Sequence, residues 1–303
     1  MNMEHSLDGK VFVITGATSG IGLAAAEALV NQGASMIGVG HSVDHCRQAQ
    51  EQLQALRPEG GQISMCVADL SLQSEIRCLA QEIRAKLASW KFDHLDGLIN
   101  NAGTVPFWQT LTPEGFDTQW AVNHLAAFLL TVELLPLLKA APMARVVTVS
   151  SASHYGAKLN WEDIQLRKHY SALRAYGQTK LANILFSVEL NRRLGKGSTV
   201  RAFAADPGLV NTEIGMKSNS MIARWAWDLR RRGGITAAES AKGIVFLASE
   251  PSIQNEKDVF WRHSKPKAPS DYALNAQAAR QLWALSAQMC GVEDTQELAA
   301  ETA

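Results

Sequence analysis

Neither sign of charge is in excess. The 29 Lys+Arg balance 29 Asp+Glu, so no overall field draws this chain to nucleic acid or to an anionic bilayer; nucleic acid is not expected as a partner, while peripheral membrane contact stays open. Cysteine is scarce: Cys46, Cys66, Cys78 and Cys290 form no CxxC pair and no zinc-type spacing, which excludes a disulfide scaffold and fits a reducing compartment. Gly/Ser linkers, internal repeats and breaks in composition are missing, so residues 1–303 are expected to form one domain. The opening MNMEHSLDGK lacks the basic-then-apolar pattern of a secretory leader. The most apolar long run, Leu125 to Ala141, is interrupted by Glu133 and Pro136, which argues for a buried helix and against a membrane span. The expectation is a cytoplasmic protein with no transmembrane segment.

What is present is an alternation. Hydrophobic residues make up 47% of the chain, enough for a large core. Short apolar, β-branched runs at Lys10–Thr15, Ala34–Gly40, Gln62–Ala68, Leu95–Asn100, Arg145–Ser150 and Thr199–Ala205 read as strands, with helical periods between them. Asp258 to Trp261 is read as the last strand, and about 270–291 as a C-terminal helical extension. Strand and helix repeated in this way predict a doubly wound parallel α/β sheet in three layers, a Rossmann fold. Residues 211–234 leave the rhythm and are expected to cover the sheet edge where ligands bind.

TGATSGIG, residues 15–22, follows the first strand and opens a helix. Glycines at 16, 20 and 22 let backbone N–H groups face a pyrophosphate at a helix N-terminus, with Ser19 and Ile21 in the same turn. The second strand ends Gly38-Val39-Gly40-His41-Ser42, without a carboxylate for the 2′-hydroxyl of NAD. His41 and Ser42 can donate to a 2′-phosphate, which favours NADP(H), with NAD(H) as the alternative. Ser42 or Asp44 can equally cap the next helix. Tyr176 and Lys180 stand at i and i+4 of a helix, so an ammonium can favour phenolate. Ser150-Ser151, Asn100 to Gly103 and Asn123 belong to the same carboxyl edge.

This set resembles the short-chain dehydrogenase/reductase family over nearly the whole chain. The matching stretches are TGATSGIG, Asp69-Leu70, NNAG at 100–103, VNH at 122–124, VSS at 149–151, YGQTK at 176–180 and PGLVNT at 207–212. The 25 residues from Ser151 to Tyr176 (176 − 151), with KLANILFSVEL and QLWALSAQMCGV, are most similar to the retinol dehydrogenase and WW-domain oxidoreductase branch. The resemblance implies that Tyr176 is the general acid/base, that Lys180 lowers its pKa and holds the nicotinamide ribose, that Ser151 bonds the substrate oxygen, and that Asn123 organises a proton-relay water. It further implies that Asp69 and Leu70 lie near the adenine, that Asn100, Ala102 and Gly103 line the cofactor, and that Pro207, Gly208, Val210 and Thr212 flank the nicotinamide. Pairing into homodimers or homotetramers through the helices after strands four and five is implied as well.

The expected activity is hydride transfer between NADP(H) and a carbonyl or alcohol of an apolar, retinoid-, steroid- or lipid-like small molecule. An NAD-preferring alcohol dehydrogenase and a non-catalytic dinucleotide-sensing scaffold are the alternatives. Met221, Ile222, Trp225 and Trp227 beside Arg224, Arg230, Arg231 and Arg232 read as a substrate lid, a membrane or partner patch, or a plain covering helix. His41 and His45 at i and i+4 lack further ligands, so no metal site is expected. The remaining histidines are given no role.

Overall fold

Apolar β-branched runs become strands here because both faces of the sheet they form are covered by helices. The computed structural model describes residues 7–57, 61–209 and 235–294. Among these, the strands are β1 Val11–Thr15, β2 Ser35–Gly40, β3 Ile63–Val67, β4 Gly97–Asn100, β5 Ala144–Val149, β6 Val200–Asp206, β7 Phe260–Arg262 and β8 Lys265–Pro266. They form one sheet in the order β3-β2-β1-β4-β5-β6-β7-β8. The helices are α1 Gly20–Asn31, α2 Val43–Leu56, α3 Gln73–Ser89, α4 Thr118–Ala140, α5 Ala172–Leu194, α6 Ala237–Ser249 and α7 Ala276–Cys290. This is the doubly wound fold that the alternation predicts, and the order reverses between β1 and β4, which opens a crevice at the carboxyl edge.

The period of two sorts the layers. Val11 and Val13 pack with Leu79, Ile83 and Phe128 of α3 and α4; Phe12 and Ile14 pack with Ala25, Leu29 and Ile244 of α1 and α6. The last strand departs from the expected Asp258–Trp261. It begins two residues later, and an antiparallel β8 pairs with it, Trp261 opposite Pro266. The hairpin turns on His263 and Ser264, both left-handed with φ 49° and 57°. Such turns normally announce themselves with Asn-Gly, which is why the sequence hides this one.

Helix α4 is long and apolar enough to cross a membrane by length and composition. Its Phe128, Leu129, Leu134 and Leu138 are nonetheless buried against the sheet and its neighbouring helices. Near its start, Ala121–Leu125 form a π turn, with Ala126 N–H bonded to Ala121 C=O five residues back. Helix α7 lies over α4 and α5. Trp283 meets Phe128 edge-on at 5.0 Å and stacks on Phe186 at 5.8 Å, and the Arg193 guanidinium lies over its ring at 4.5 Å. Arg193 is in turn paired with buried Glu189 at 2.8 Å and with Asp294 at 2.7 Å.

Candidate active site

The glycine loop is built from close backbone approaches. Gly16 is left-handed, with φ 69°, and a Cβ on Gly22 would stand 2.1 Å from Gly16 O and 2.4 Å from Asn101 Nδ2. That Asn101 amide donates to Thr15 O at 2.9 Å and to Gly16 O at 3.2 Å. In return Thr15 Oγ1 accepts from the N–H groups of Asn101 and Ala102 at 3.0 and 3.1 Å. The loop and the NNAG segment are therefore one rigid edge. Ser19 N-caps α1 without a side-chain cap bond, so the first-turn amides of Gly20, Ile21 and Gly22 keep their donors and the positive helix end free for an anion. These residues fit the pyrophosphate of a dinucleotide.

Helix α5 carries Tyr176 and Lys180. Lys180 is buried, and its Nζ donates to Val149 O at 2.9 Å. It lies 5.4 Å from the centroid of the Tyr176 ring. Burial pushes the Lys180 ammonium down to about 8. Gly103 closes the group from the NNAG side: a Cβ there would be 3.7 Å from Lys180 Nζ and 3.4 Å from Asn123 Oδ1. Asn123 sits in the π turn and is 1% exposed. Its Oδ1 accepts from Thr104 N–H at 2.7 Å, and its Nδ2 donates to Thr104 O at 2.9 Å and to Thr179 Oγ1 at 3.3 Å. The side chain thus ties the loop after β4 to Thr179 on α5, and the main-chain carbonyl faces the same helix.

Ser151 lies where β5 ends. Ser150 Oγ donates to Lys180 O at 2.7 Å, which ties the strand end to α5. Ser151 is extended and caps the short 3-10 turn Ala152–His154, its Oγ accepting from Ser153 N–H at 3.2 Å. This turn presses on α5 at Gly177, where a Cβ would meet Ser153 O at 2.8 Å. A side chain at that position would push Ser151's turn off the Tyr-Lys helix.

At the other end of the crevice, a Cβ on Gly40 would stand 2.4 Å from Thr18 Cγ2, so the end of β2 abuts the glycine loop. His41 is exposed there. Ser42 caps α2, accepting from His45 N–H at 3.5 Å, and Asp44 pairs with Arg47 at 3.3 Å. Asp69 Oδ1 accepts from Ser71 N–H at 2.9 Å, and Leu70 beside it is half-buried. Asn100 Nδ2 donates to Thr131 Oγ1 at 3.0 Å. Pro207 O accepts from Ser240 Oγ at 2.8 Å, and Gly208 N–H donates to Asp206 Oδ1 at 3.1 Å. Val210, Thr212 and the 211–234 segment lie outside the described residues.

Three polar residues with no role in the sequence reading complete the site. Asn183 Nδ2 donates to Asn123 O at 3.0 Å and to Val149 O at 3.1 Å, so it shares the Val149 carbonyl with Lys180. His124 stands behind it, with Nδ1 3.3 Å from Asn183 Oδ1 and Nε2 2.9 Å from Ser286 Oγ on α7. Burial holds His124 down to about 4, so it is neutral at physiological pH. His154, below Ser151, is the third. Both histidines, given no role by the sequence, are buried and hydrogen-bonded here. Asn183, one turn after Lys180, was the one signal in sequence: a polar residue inside an otherwise apolar helical stretch.

The doubly wound sheet with its glycine-rich first turn defines the class, a Rossmann-type α/β protein. Comparison with known proteins refines it. The short chain dehydrogenase family model matches residues 10–223. Retinol dehydrogenase 12 of Mus musculus is 35% identical over 287 residues, 95% of this chain and 88% of that protein. A solved structure of an uncharacterized protein from Mycobacterium paratuberculosis superposes with a TM-score of 0.74 at 33% identity, covering 96% of each chain. Landomycin C-6 ketoreductase LanV, solved with NADP and rabelomycin, gives 0.65 at 25% identity over 89% of this chain and 98% of its own. This chain belongs to the short-chain dehydrogenase family, a family of oxidoreductases, and within it to the retinol dehydrogenase branch.

Proposed function

We propose that this protein transfers hydride between NADP(H) and a carbonyl or alcohol carbon of an apolar small molecule. The observation that carries this reading is the buried Lys180 ammonium beside the Tyr176 ring, 5.4 Å from its centroid. A free phenol ionises near pH 10, and each unit of lowering corresponds to about 1.4 kcal/mol. A cation held in a desolvated site is the means to lower it. A protein that only bound a dinucleotide has no need of that pair.

The amides of Gly20 to Gly22, Gly16 and Ser19 would hold the pyrophosphate, and His41 and Ser42 the 2′-phosphate. Asp69 and Leu70 would lie by the adenine, Asn100, Ala102 and Gly103 along the cofactor, and Pro207 and Gly208 beside the nicotinamide. Bound there, the dinucleotide supplies or accepts the hydride. In the direction of reduction, Ser151 and Tyr176 hydrogen-bond the carbonyl oxygen and Tyr176 gives it a proton. Lys180 stabilises the resulting phenolate. A water held beside the Asn123 carbonyl, which accepts from Asn183 at 3.0 Å, would refill the proton.

NADP is supported by the missing carboxylate after β2 and by the engagement of Asp44 with Arg47; LanV was solved with NADP bound. An apolar substrate is supported by Trp108, 81% exposed, and by exposed Leu173 and Leu209, all on segments leaving the carboxyl edge. A named retinol dehydrogenase among the relatives agrees. The test is a panel of aldehydes and ketones with NADPH and with NADH, followed at 340 nm. Turnover with NADPH is expected; a preference for NADH overturns the cofactor reading, and silence across the panel favours a dinucleotide-sensing scaffold.

A further inference from the structure

The turn that carries Ser151 is held from the far end of the chain. His154, three residues on, is fully buried. Its Nδ1 is 2.8 Å from Ser151 O, and Ser270 N is 3.1 Å from its Nε2. A carbonyl only accepts and an amide N–H only donates, so these partners dictate a neutral ring with its proton on Nδ1. Burial also pushes this imidazole below its usual range, outweighing the Ser151 carbonyl and Asp206. The ring is fixed in its plane by Tyr155 at 4.1 Å and Phe260 at 4.8 Å. Tyr155 is itself tied to the same distant segment, its Oη donating to Ala268 O at 2.7 Å.

A three-residue 3-10 turn has few internal hydrogen bonds of poor geometry to hold its orientation. Its internal bond, His154 N–H to Ser151 O, is 3.1 Å long. The direction of the Ser151 side chain follows from its φ and ψ, and clamping its carbonyl fixes ψ. Ser151 Oγ accepts from Ser153 N–H at 3.2 Å and donates to Ser153 Oγ at 3.3 Å; a substrate oxygen in the crevice would take the proton over from that long bond to a neighbouring hydroxyl. We propose that His154 is a positioning residue for Ser151: Nδ1–H clamps the Ser151 carbonyl and thereby aims the hydroxyl, while the Ser270 amide locks the tautomer that makes the clamp. The inference rests on the catalytic role proposed for Ser151.

Two substitutions separate the two nitrogens. His154→Asn keeps an amide donor near the Nδ1 position and loses the acceptor for Ser270; His154→Gln keeps an acceptor near Nε2 and loses the donor to Ser151. Each is measured with NADPH and a ketone in the native and Ser151→Ala backgrounds, together with the melting temperature. His154→Asn is expected to keep kcat within about threefold of the native protein even where it lowers the melting temperature. His154→Gln should lose at least about tenfold in kcat with NADPH affinity unchanged, because a misaimed reacting group costs rate more than binding. On the Ser151→Ala background the His154→Gln loss should vanish. Equal losses in both variants, a loss that follows the melting temperature, or a loss that persists without the Ser151 hydroxyl overturns the proposal. If the native protein binds NADPH but reduces nothing, the functional reading has failed. The clamp is then read by 15N NMR of labelled histidines, where a proton on Nε2 of His154 overturns it.

Discussion

Lys180 Nζ stands 5.4 Å from the centre of the Tyr176 ring and 2.9 Å from the Val149 carbonyl. One ammonium therefore serves both the phenol one turn before it and the end of the central strand β5. Replacing Tyr176 with Phe removes the transferable proton and leaves that ammonium in place. We expect kcat to fall by about 10²–10⁴-fold, with NADPH affinity, followed by tryptophan fluorescence, close to native. A near-native rate would sink the assignment of Tyr176.

The pH dependence follows from Lys180. Its folded value, about 8, lies below the ordinary 10.5, so between these limits the unfolded chain holds more proton than the folded one. Stability therefore rises with pH across this window, and the cost of the buried ammonium is fully present below it. Urea titrations from pH 7.5 to 10.5 should show that rise in the native protein relative to Lys180→Met. The reduction rate should run the opposite way, declining above about pH 8 as the ammonium is lost.

Two glycines of the crevice should respond differently to added bulk. Gly22→Ala puts a methyl against the Gly16 carbonyl and Asn101, at 2.1 and 2.4 Å, and should destabilise the fold by about 1–3 kcal/mol. Gly103→Ala meets Asn123 and Lys180 at ordinary contact distances of 3.4 and 3.7 Å. Its melting temperature should be near native while NADPH binding weakens. Calorimetry and fluorescence titration of the two variants distinguish a packing position from a ligand-facing one.

Trp283 pins α7 across α4 and α5, the helices after strands four and five. Trp283→Ala should cost about 3–5 kcal/mol, read by urea unfolding. Family pairing through those helices would have to compete with α7 for their surface. Sedimentation is expected to give a monomer, and a dimer crosslinked through α4 or α5 would refute this.

The strands and the glycine, Tyr-Lys and NNAG motifs were legible because each is a local pattern: period two, a turn, or a helical step of four. What escaped was set by distance or by register. His124 meets Ser286 and His154 meets Ser270 across 162 and 116 residues, so nothing beside either histidine in sequence betrays a partner. The π turn at Ala121–Leu125 adds one residue to a helical turn without disturbing its apolar composition. Asn123 lies in the expected helix; its side chain braces Thr104 and reaches Thr179 on α5, and its carbonyl accepts from Asn183 on that same helix. The β7–β8 hairpin was missed because its left-handed pair is His263-Ser264, not the Asn-Gly or Asp-Gly that signals such a turn.

The bracing of the crevice by Ser270 and Ser286 sets an order of events during synthesis. A nascent chain that has left the ribosome only as far as α6 already owns every candidate catalytic side chain and the glycine loop. It still lacks the hydroxyl behind His124 and the amide that fixes His154. Competence should arrive abruptly with the last 37 residues, those beyond β8 (303 − 266), and messages cut short there should yield folded-looking but idle protein.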